Sequence, residues 1–178
     1  NASTFLEDIE TDCTASTRQK KQEGNYFDTY LKFDFDYDKR NQKFQTSDGF
    51  RSYYSIDLPI VSDNNTLTNF YNYKTFSELY ENNISSFSLT LSSANSLTGD
   101  DIKLSERLYI PQKKLRGFVK GKVGPKDGSD YIGGNYYTTL NLSSTLPQVL
   151  PSIENISVST FVDIGNVWGV DDSSLDES

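Results

Sequence analysis

The chain has 178 residues, the size of one ordinary domain, and a net charge of −8 with no histidine. This charge argues against nucleic-acid binding, which needs clustered Lys and Arg, and the lack of histidine removes the usual general base and metal ligand. Twelve Tyr and eleven Phe in a chain that is only 35% hydrophobic favour β-strands. No apolar run approaches the roughly 20 residues of a membrane helix, which excludes helical spanning and leaves a spanning β-barrel open.

Alternation of apolar and polar residues predicts the strands. Residues 1–24 are polar and lack this pattern, so we expect an irregular end there. In residues 31–38 the alternation is strict, which places the two kinds of residue on opposite faces of one strand. The whole run, residues 25–38, is longer than the ordinary strand of about 5–6 residues. Five further segments are also predicted as strands, mostly separated by short turns, although the alternation is less clean in residues 67–79. They lie at residues 50–58, 67–79, 86–92, 136–143 and 156–164.

About six strands in sequence order predict an all-β fold, an antiparallel up-and-down meander. A soluble sandwich would combine modest strands with a dry shared core, whereas a membrane barrel has long strands, apolar towards lipid and polar towards a wet lumen. The strand lengths favour the barrel. We therefore predict that residues 25–170 form part of a transmembrane β-barrel, interrupted by a long loop at 93–133 and followed by a truncated loop at 171–178.

The composition of the two ends indicates a piece of a longer protein. The chain does not begin with Met, and its last eight residues form a polar run without a closing element. Cut from its barrel, such a piece would expose unpaired sheet edges and an apolar face. We expect it to self-associate, because both features promote association.

Three aspartates, Asp34, Asp36 and Asp38, share one face of the first predicted strand. Carboxylates can bind a hard cation, but on one strand face they stand about 7 Å apart, and Lys39 and Arg40 supply counter-charge. We interpret them as a hydrated polar face and predict no metal site. Without histidine no Ser-His-Asp or Cys-His arrangement is possible. We therefore predict no catalytic residues of these types.

The long loop contains the tetrapeptide Leu115-Arg116-Gly117-Phe118. Taken alone, its arginine is typical of a solvated loop. The tetrapeptide nevertheless resembles the loop signature of the BamA/TamA-type outer-membrane surface-antigen family, which also includes two-partner secretion transporters.

Two later segments strengthen the resemblance, in the order that the family shows. Gly133 and Gly134 precede a predicted strand, as they do after the loop signature in the family. The last predicted strand, with Asp163, Gly165 and Trp168, is similar to the family's next strand. Residues 34–49 are similar to an earlier strand and periplasmic turn, so the resemblance covers residues 25–170.

The resemblance implies a barrel of about sixteen strands whose long loop folds back into the lumen. There the loop arginine, here Arg116, would pair with the strand aspartate, here Asp163. Gly117 would let the backbone turn tightly, and Phe118 would pack at the loop tip. Many relatives carry a glutamate on the strand after the loop, where this sequence has Ser143, so the arginine would lack that second partner.

The resemblance also implies a function, one that is not enzymatic and involves no cofactor. The whole protein would insert β-barrel proteins into the bacterial outer membrane, with the bilayer, unfolded outer-membrane proteins, and periplasmic and lipoprotein assembly factors as its partners. Two alternatives remain open at this point. One is a two-partner secretion or TamA-like translocation barrel, and the other is a soluble, secreted β-domain for adhesion or carbohydrate binding.

Overall fold

Seven antiparallel strands form one sheet in the computed structural model, which describes residues 1–63, 65–80, 83–146 and 158–171. Side by side, they are β1 (Ala2–Ile9), β2 (Gly24–Asp38), β3 (Gly49–Ser62), β4 (Thr66–Tyr80), β5 (Asn83–Ser96), β8 (Tyr136–Thr145) and β9 (Ser159–Trp168). Each strand pairs with the next one along the chain, except that β5 pairs with β8 and the residues between them form an insertion. The predicted all-β meander is therefore confirmed.

The insertion between β5 and β8, residues 97–135, is called the inner loop below. It contains a 3₁₀ helix (Gln112–Lys114) and a small hairpin of β6 (Lys126–Asp127) and β7 (Asp130–Tyr131). A one-turn helix, α1 (Thr17–Lys20), lies between β1 and β2. Among the described residues, no helix is long and apolar enough to cross a membrane.

The N-terminal prediction needs a correction. Residues Ala2–Ile9 are not irregular: they form β1, which pairs with β2 from Ala2 opposite Leu31 to Ile9 opposite Gly24. The segment has weak alternation of its own, and it becomes a strand because the long β2 offers it a free edge. The inner loop also begins later than predicted, since β5 continues to Ser96. Of the predicted loop at 171–178, residues 172–178 lie outside the described part of the chain.

In a soluble protein the covered face of a sheet is apolar and the exposed face is polar, and in this sheet the polarity of the two faces is reversed. The face that the inner loop covers is polar, and its buried side chains include serine and threonine. They are Ser55, Ser88, Thr90, Ser92 and Thr139. The other face exposes apolar side chains to the outside. They include Phe33, Phe35, Tyr37, Leu91, Leu142, Val162, Ile164 and Trp168. Such a sheet matches the wall of a membrane barrel, with lipid outside and a polar lumen inside.

A small apolar cluster joins the inner loop to the polar face. Ile110 and Leu115 of the loop pack against Tyr137 of β8 and Val167 of β9. Partly buried Phe70, Leu108 and Val123 surround this cluster. The cluster fixes the loop over the β8–β9 half of the sheet, which is where the candidate site lies.

The polarity of the two faces predicts how a charged substitution on each face changes the stability of the protein in lipid. Ile164 lies in the middle of β9 on the outer face and is 61% exposed. We expect Ile164→Arg to lower the free energy of unfolding of the intact protein in bilayers by about 2–4 kcal/mol, because lipid solvates a guanidinium poorly. Ser143→Arg, on the inner face of neighbouring β8, should cost much less. Equal costs for the two variants, in denaturant titrations with lipid vesicles, would contradict this assignment of the faces.

Candidate functional site

Arg116 reaches the sheet because the residues before it are fixed. Pro111, in an extended conformation, precedes the 3₁₀ helix, and the Lys114 backbone N–H donates to the Pro111 carbonyl at 2.8 Å. Leu115 follows and is only 4% exposed. Proline presets its own backbone angle and cannot donate a hydrogen bond, which suits the start of a short helix. The buried leucine then turns the next side chain, Arg116, towards β9.

Arg116 and Asp163 form a two-pronged ion pair. Nε of Arg116 donates to Oδ2 of Asp163 at 2.7 Å, and Nη2 donates to Oδ1 at 2.7 Å. The backbone N–H of Arg116 donates to Oδ2 as well, at 3.0 Å. The carboxylate is only 3% exposed, whereas the arginine side chain is 39% exposed. Charge-assisted, bidentate bonds of this kind are among the stronger polar contacts in proteins, and they raise the pKa of Arg116.

Asn141 completes the binding of the carboxylate. It lies directly opposite Asp163 in the β8–β9 register. Its side-chain amide donates to Oδ1 of Asp163 at 2.8 Å and to the carbonyl of Lys114 at 2.6 Å. The amide therefore ties the aspartate and the backbone of the inner loop together. It gives Asp163 a second side-chain partner, on the neighbouring strand.

The guanidinium of Arg116 also stacks on an aromatic ring of β9. Its central carbon lies 3.6 Å from the centroid of Phe161, which is two residues before Asp163 and on the same face. A cation over an aromatic face is attracted by the ring quadrupole. Arg116 is thus held by a carboxylate in its plane and by a ring below that plane.

The two residues after Arg116 differ in their surroundings. Gly117 has φ +88°, a left-handed conformation that favours glycine, although a Cβ there would meet nothing within 4 Å. Conformation, rather than lack of space, therefore explains the glycine. Phe118 is 56% exposed, which differs from the expectation that its ring packs at the loop tip.

Gly133 and Gly134 lie where the inner loop passes the end of β9. A Cβ on Gly134 would come within 2.5 Å of the Trp168 carbonyl oxygen, and one on Gly133 within 2.8 Å of the Leu108 carbonyl oxygen. Leu108 and Gly134 also exchange backbone hydrogen bonds of 2.8 and 3.0 Å. These glycines allow two backbone segments to approach more closely than any side chain would permit.

Gly165 and Trp168 lie on opposite faces of β9. Gly165 faces the loop, where a Cβ would lie 3.0 Å from Cδ1 of Ile110. Trp168 faces outwards and stacks on Tyr136 with ring centroids 6.0 Å apart. Gly165 therefore lets the loop approach the wall, whereas Trp168 belongs to the apolar outer surface.

The three aspartates of β2 are held by protein partners. Asp36 binds Arg51 through two hydrogen bonds of 2.8 Å, and Asp38 binds Arg40 at 2.6 and 2.9 Å. Asp34 accepts a hydrogen bond from a tyrosine hydroxyl at 2.5 Å. Among the described residues, no group of three or more acidic or cysteine side chains is placed to hold a metal ion.

Sequence reasoning missed Asn141 and a set of ionic contacts at the base of the inner loop around Lys103. The alternation of β8 does place Asn141 on the inner face. Nothing in the sequence indicates the register that brings it opposite Asp163. Lys103 lies in a polar segment of the loop, where a lysine is normally solvated.

Comparison with known proteins identifies the family. The Omp85 superfamily domain matches residues 2–178. The chain belongs to the Omp85 superfamily. Proteins of the Omp85 superfamily reside in outer membranes, which agrees with the apolar outer face of the sheet.

Individual relatives match parts of the chain. A SAM50-like protein of Schizosaccharomyces pombe is 33% identical over 70 residues, which are 39% of this chain and 14% of that protein. The fold resembles the crystal structure of BamA from Haemophilus ducreyi lacking POTRA domains 1–3. The TM-score is 0.73 at 23% identity, over 83% of this chain and 31% of that one. The Omp85 chain described here thus spans less than a third of the length of either relative.

The geometry of the ion pair predicts an energetic coupling within the Omp85 chain. In a double-mutant cycle of Arg116→Met and Asp163→Asn in the intact protein, we expect a coupling energy of about 1–2 kcal/mol. Hydrogen bonds to charged groups contribute this much after allowance for the partial exposure of Arg116. Arg116→Lys should recover only part of it, because lysine cannot form the two-pronged contact. Purely additive effects on the free energy of unfolding would mean that the contact does not hold the loop.

Proposed function

We propose that this chain is part of a barrel that inserts β-barrel proteins into the bacterial outer membrane. In this proposal the inner loop lies in the lumen and the Arg116–Asp163 pair holds it there. The observation that carries the proposal is the ion pair itself, on the polar face of an Omp85 sheet whose opposite face is apolar. No catalytic step and no cofactor are part of the proposal.

The ion pair can restrain both partners that it joins. The inner loop gains a contact in the middle of β9, well away from its own attachment points at the ends of β5 and β8. Strands β8 and β9 gain a support on their lumen side, because Asn141 and Asp163 of neighbouring strands bind the same loop segment. With this support from inside, β8 and β9 can keep their pairing register while strands of a client protein are inserted elsewhere in the barrel.

The relatives support an assembly role without deciding between related barrels. They include a bacterial BamA and a SAM50-like protein of a yeast. Because one relative is bacterial and the other is not, the choice of the bacterial outer membrane belongs to the proposal. A two-partner secretion or TamA-like translocation barrel remains the second candidate, because the same loop signature is expected in it. A soluble adhesion domain does not fit, because the sheet exposes a row of apolar side chains on its outer face.

The partners proposed for the intact protein follow from the same likeness. They are the outer-membrane bilayer, unfolded outer-membrane proteins, and periplasmic and lipoprotein assembly factors. The apolar outer face and its aromatic side chains suit the bilayer directly. Self-association of the isolated chain through its apolar face remains a prediction.

The function can be tested with the intact protein in lipid vesicles. Urea-denatured client barrels are added, and folded client is measured by its heat-modifiable migration in gels. We expect the vesicles to accelerate folding, and Arg116→Met to slow it several-fold because the loop is no longer held. Lys120→Met, in the same loop at an exposed position, is the matched control.

The outcomes separate the parts of the proposal. Vesicles that transport a soluble secretion substrate but do not accelerate client folding would favour the translocation barrel. Normal assembly by Arg116→Met, with the loop released as judged by trypsin cleavage, would remove the ion pair from the mechanism. An equal loss in Lys120→Met would show a general effect of altering the loop.

A further inference from the structure

A second set of ionic contacts holds the beginning of the inner loop. Its centre is Lys103, whose side chain is 1% exposed although lysine is seldom fully buried. The ammonium group donates a hydrogen bond to the carboxylate of Asp28, which lies on the inner face of β2 and is itself 4% exposed. It also lies 3.6 Å from Oε1 of Glu106 and 4.0 Å from Oε2 of Glu7 in β1.

The acidic partners of Lys103 are themselves bound to the wall and the loop. Tyr30 of β2 donates to Oε1 of Glu106, and Thr66 of β4 donates to Oε2 of Glu106 at 2.5 Å. Ser105 of the loop donates to Oε2 of Glu7 at 2.9 Å. The loop segment thus contacts three strands, β1, β2 and β4, through one connected set of polar groups.

The lysine keeps its charge in this buried position. Burial alone would lower its pKa, but the hydrogen bond to Asp28 and the charges of Glu106 and Glu7 outweigh it, so the pKa of Lys103 is raised. Its ammonium also lies 4.6 Å from the ring centroid of Tyr26. Removing the lysine would leave the Asp28 carboxylate buried without its cationic partner, which is strongly unfavourable.

The same short segment is also joined to the far end of the sheet. Asp171, just after β9, accepts hydrogen bonds from the Ile102 backbone N–H at 3.0 Å and from Nη2 of Arg107 at 3.2 Å. Asn135, at the end of the loop, donates to the same carboxylate at 2.8 Å. Residues 102–107 therefore connect β2 with the end of β9, although β3, β4, β5 and β8 lie between these strands in the sheet.

We propose that Lys103 is a positioning residue, the anchor of a brace formed by residues 102–107 that spans the lumen from β1–β2 to the end of β9. The Arg116–Asp163 pair fixes the loop to the middle of one wall. The brace instead links two walls, so it sets where the base of the loop lies and how far apart the walls are held. Its effect on assembly rests on the proposed function; the brace itself does not.

The experiment measures loop position in the intact protein with a disulfide reporter. Ser16, between β1 and β2, donates a hydrogen bond to Asp127 of the loop hairpin. Ser16→Cys and Asp127→Cys, in a Cys13→Ser background that removes the exposed native cysteine, report this proximity as a shift in non-reducing gels. We expect Lys103→Met to lower the yield of the disulfide about tenfold, because it breaks a buried ion pair.

Two further variants make the result specific. Adding Asp28→Asn to Lys103→Met should restore most of the yield, because it removes the carboxylate that the lysine had neutralised. Lys120→Met should leave the yield unchanged. A Lys103→Met yield equal to that of the parent, or no recovery in the double variant, would overturn the proposal. If Lys103→Met does not fold, the amount of folded protein replaces the disulfide yield as the readout. It should recover when Asp28→Asn is added and should be unchanged in Lys120→Met, and no recovery would overturn the proposal.

The assembly assay separates this inference from the proposed function. A low disulfide yield with slow client folding, both restored by Asp28→Asn, supports a brace that acts in assembly. A low yield with normal client folding supports the brace and removes the loop position from the assembly mechanism.

Discussion

The inner face of this sheet is polar, and that face must be covered by groups that satisfy its hydrogen bonds. Buried Ser88, Thr90 and Thr139 would be costly beneath an apolar layer, since a buried polar group without a partner loses its hydration. The inner loop meets part of this need, since Lys114 donates to the Ser88 hydroxyl at 3.4 Å. Thr90 is instead bonded by Asn72 of β4 at 2.9 Å, and the Thr139 hydroxyl has no hydrogen-bond partner among the described residues. The apolar side chains, which a soluble protein would place in that layer, lie on the outer face, where lipid can solvate them. In this Omp85 chain a single sheet therefore separates the lipid on its outer face from the polar interior on its inner face.

A loop that covers a polar face through polar contacts needs close approach and fixed charges. Gly134 and Gly165 remove side chains where the loop meets β9, and Leu115 provides one apolar contact point. The charges are then concentrated in three places, Arg116 on Asp163, Lys103 on Asp28 and Arg107 on Asp171. The carboxylates of Asp163 and Asp28 are both nearly inaccessible to water. Solvent screening is weak at the Lys103–Asp28 contact, where both partners are buried, and stronger at Arg116, whose side chain is 39% exposed. Together they account for a loop of 39 residues with little regular structure lying against one face.

The strands could be predicted because alternation is a local property: each of the six predicted strands is present among the described residues, with one face apolar and one polar. Residues 156–157 of the last predicted strand lie outside the described part of the chain. Strand β1 could not, since its weak pattern becomes a strand only by pairing with β2. The pairing of Arg116 with Asp163 was expected from likeness to a family, not from the residues themselves, which are typical of solvated positions. Asn141 and Lys103 were missed because their roles depend on register and on contacts between distant segments, Lys103 being 75 residues from Asp28.

The central claim is that the loop-covered face is the lumen and the opposite face meets lipid. Nitroxide labels at successive positions 160–167 of β9, in the intact protein in bilayers, test it most directly. Accessibility to dissolved oxygen reports lipid exposure, and accessibility to a water-soluble nickel chelate reports exposure to water. The account predicts an alternation of period two, with Val162 and Ile164 more accessible to oxygen than Asp163 and Gly165. Equal accessibility along the strand, or the opposite phase, would contradict it.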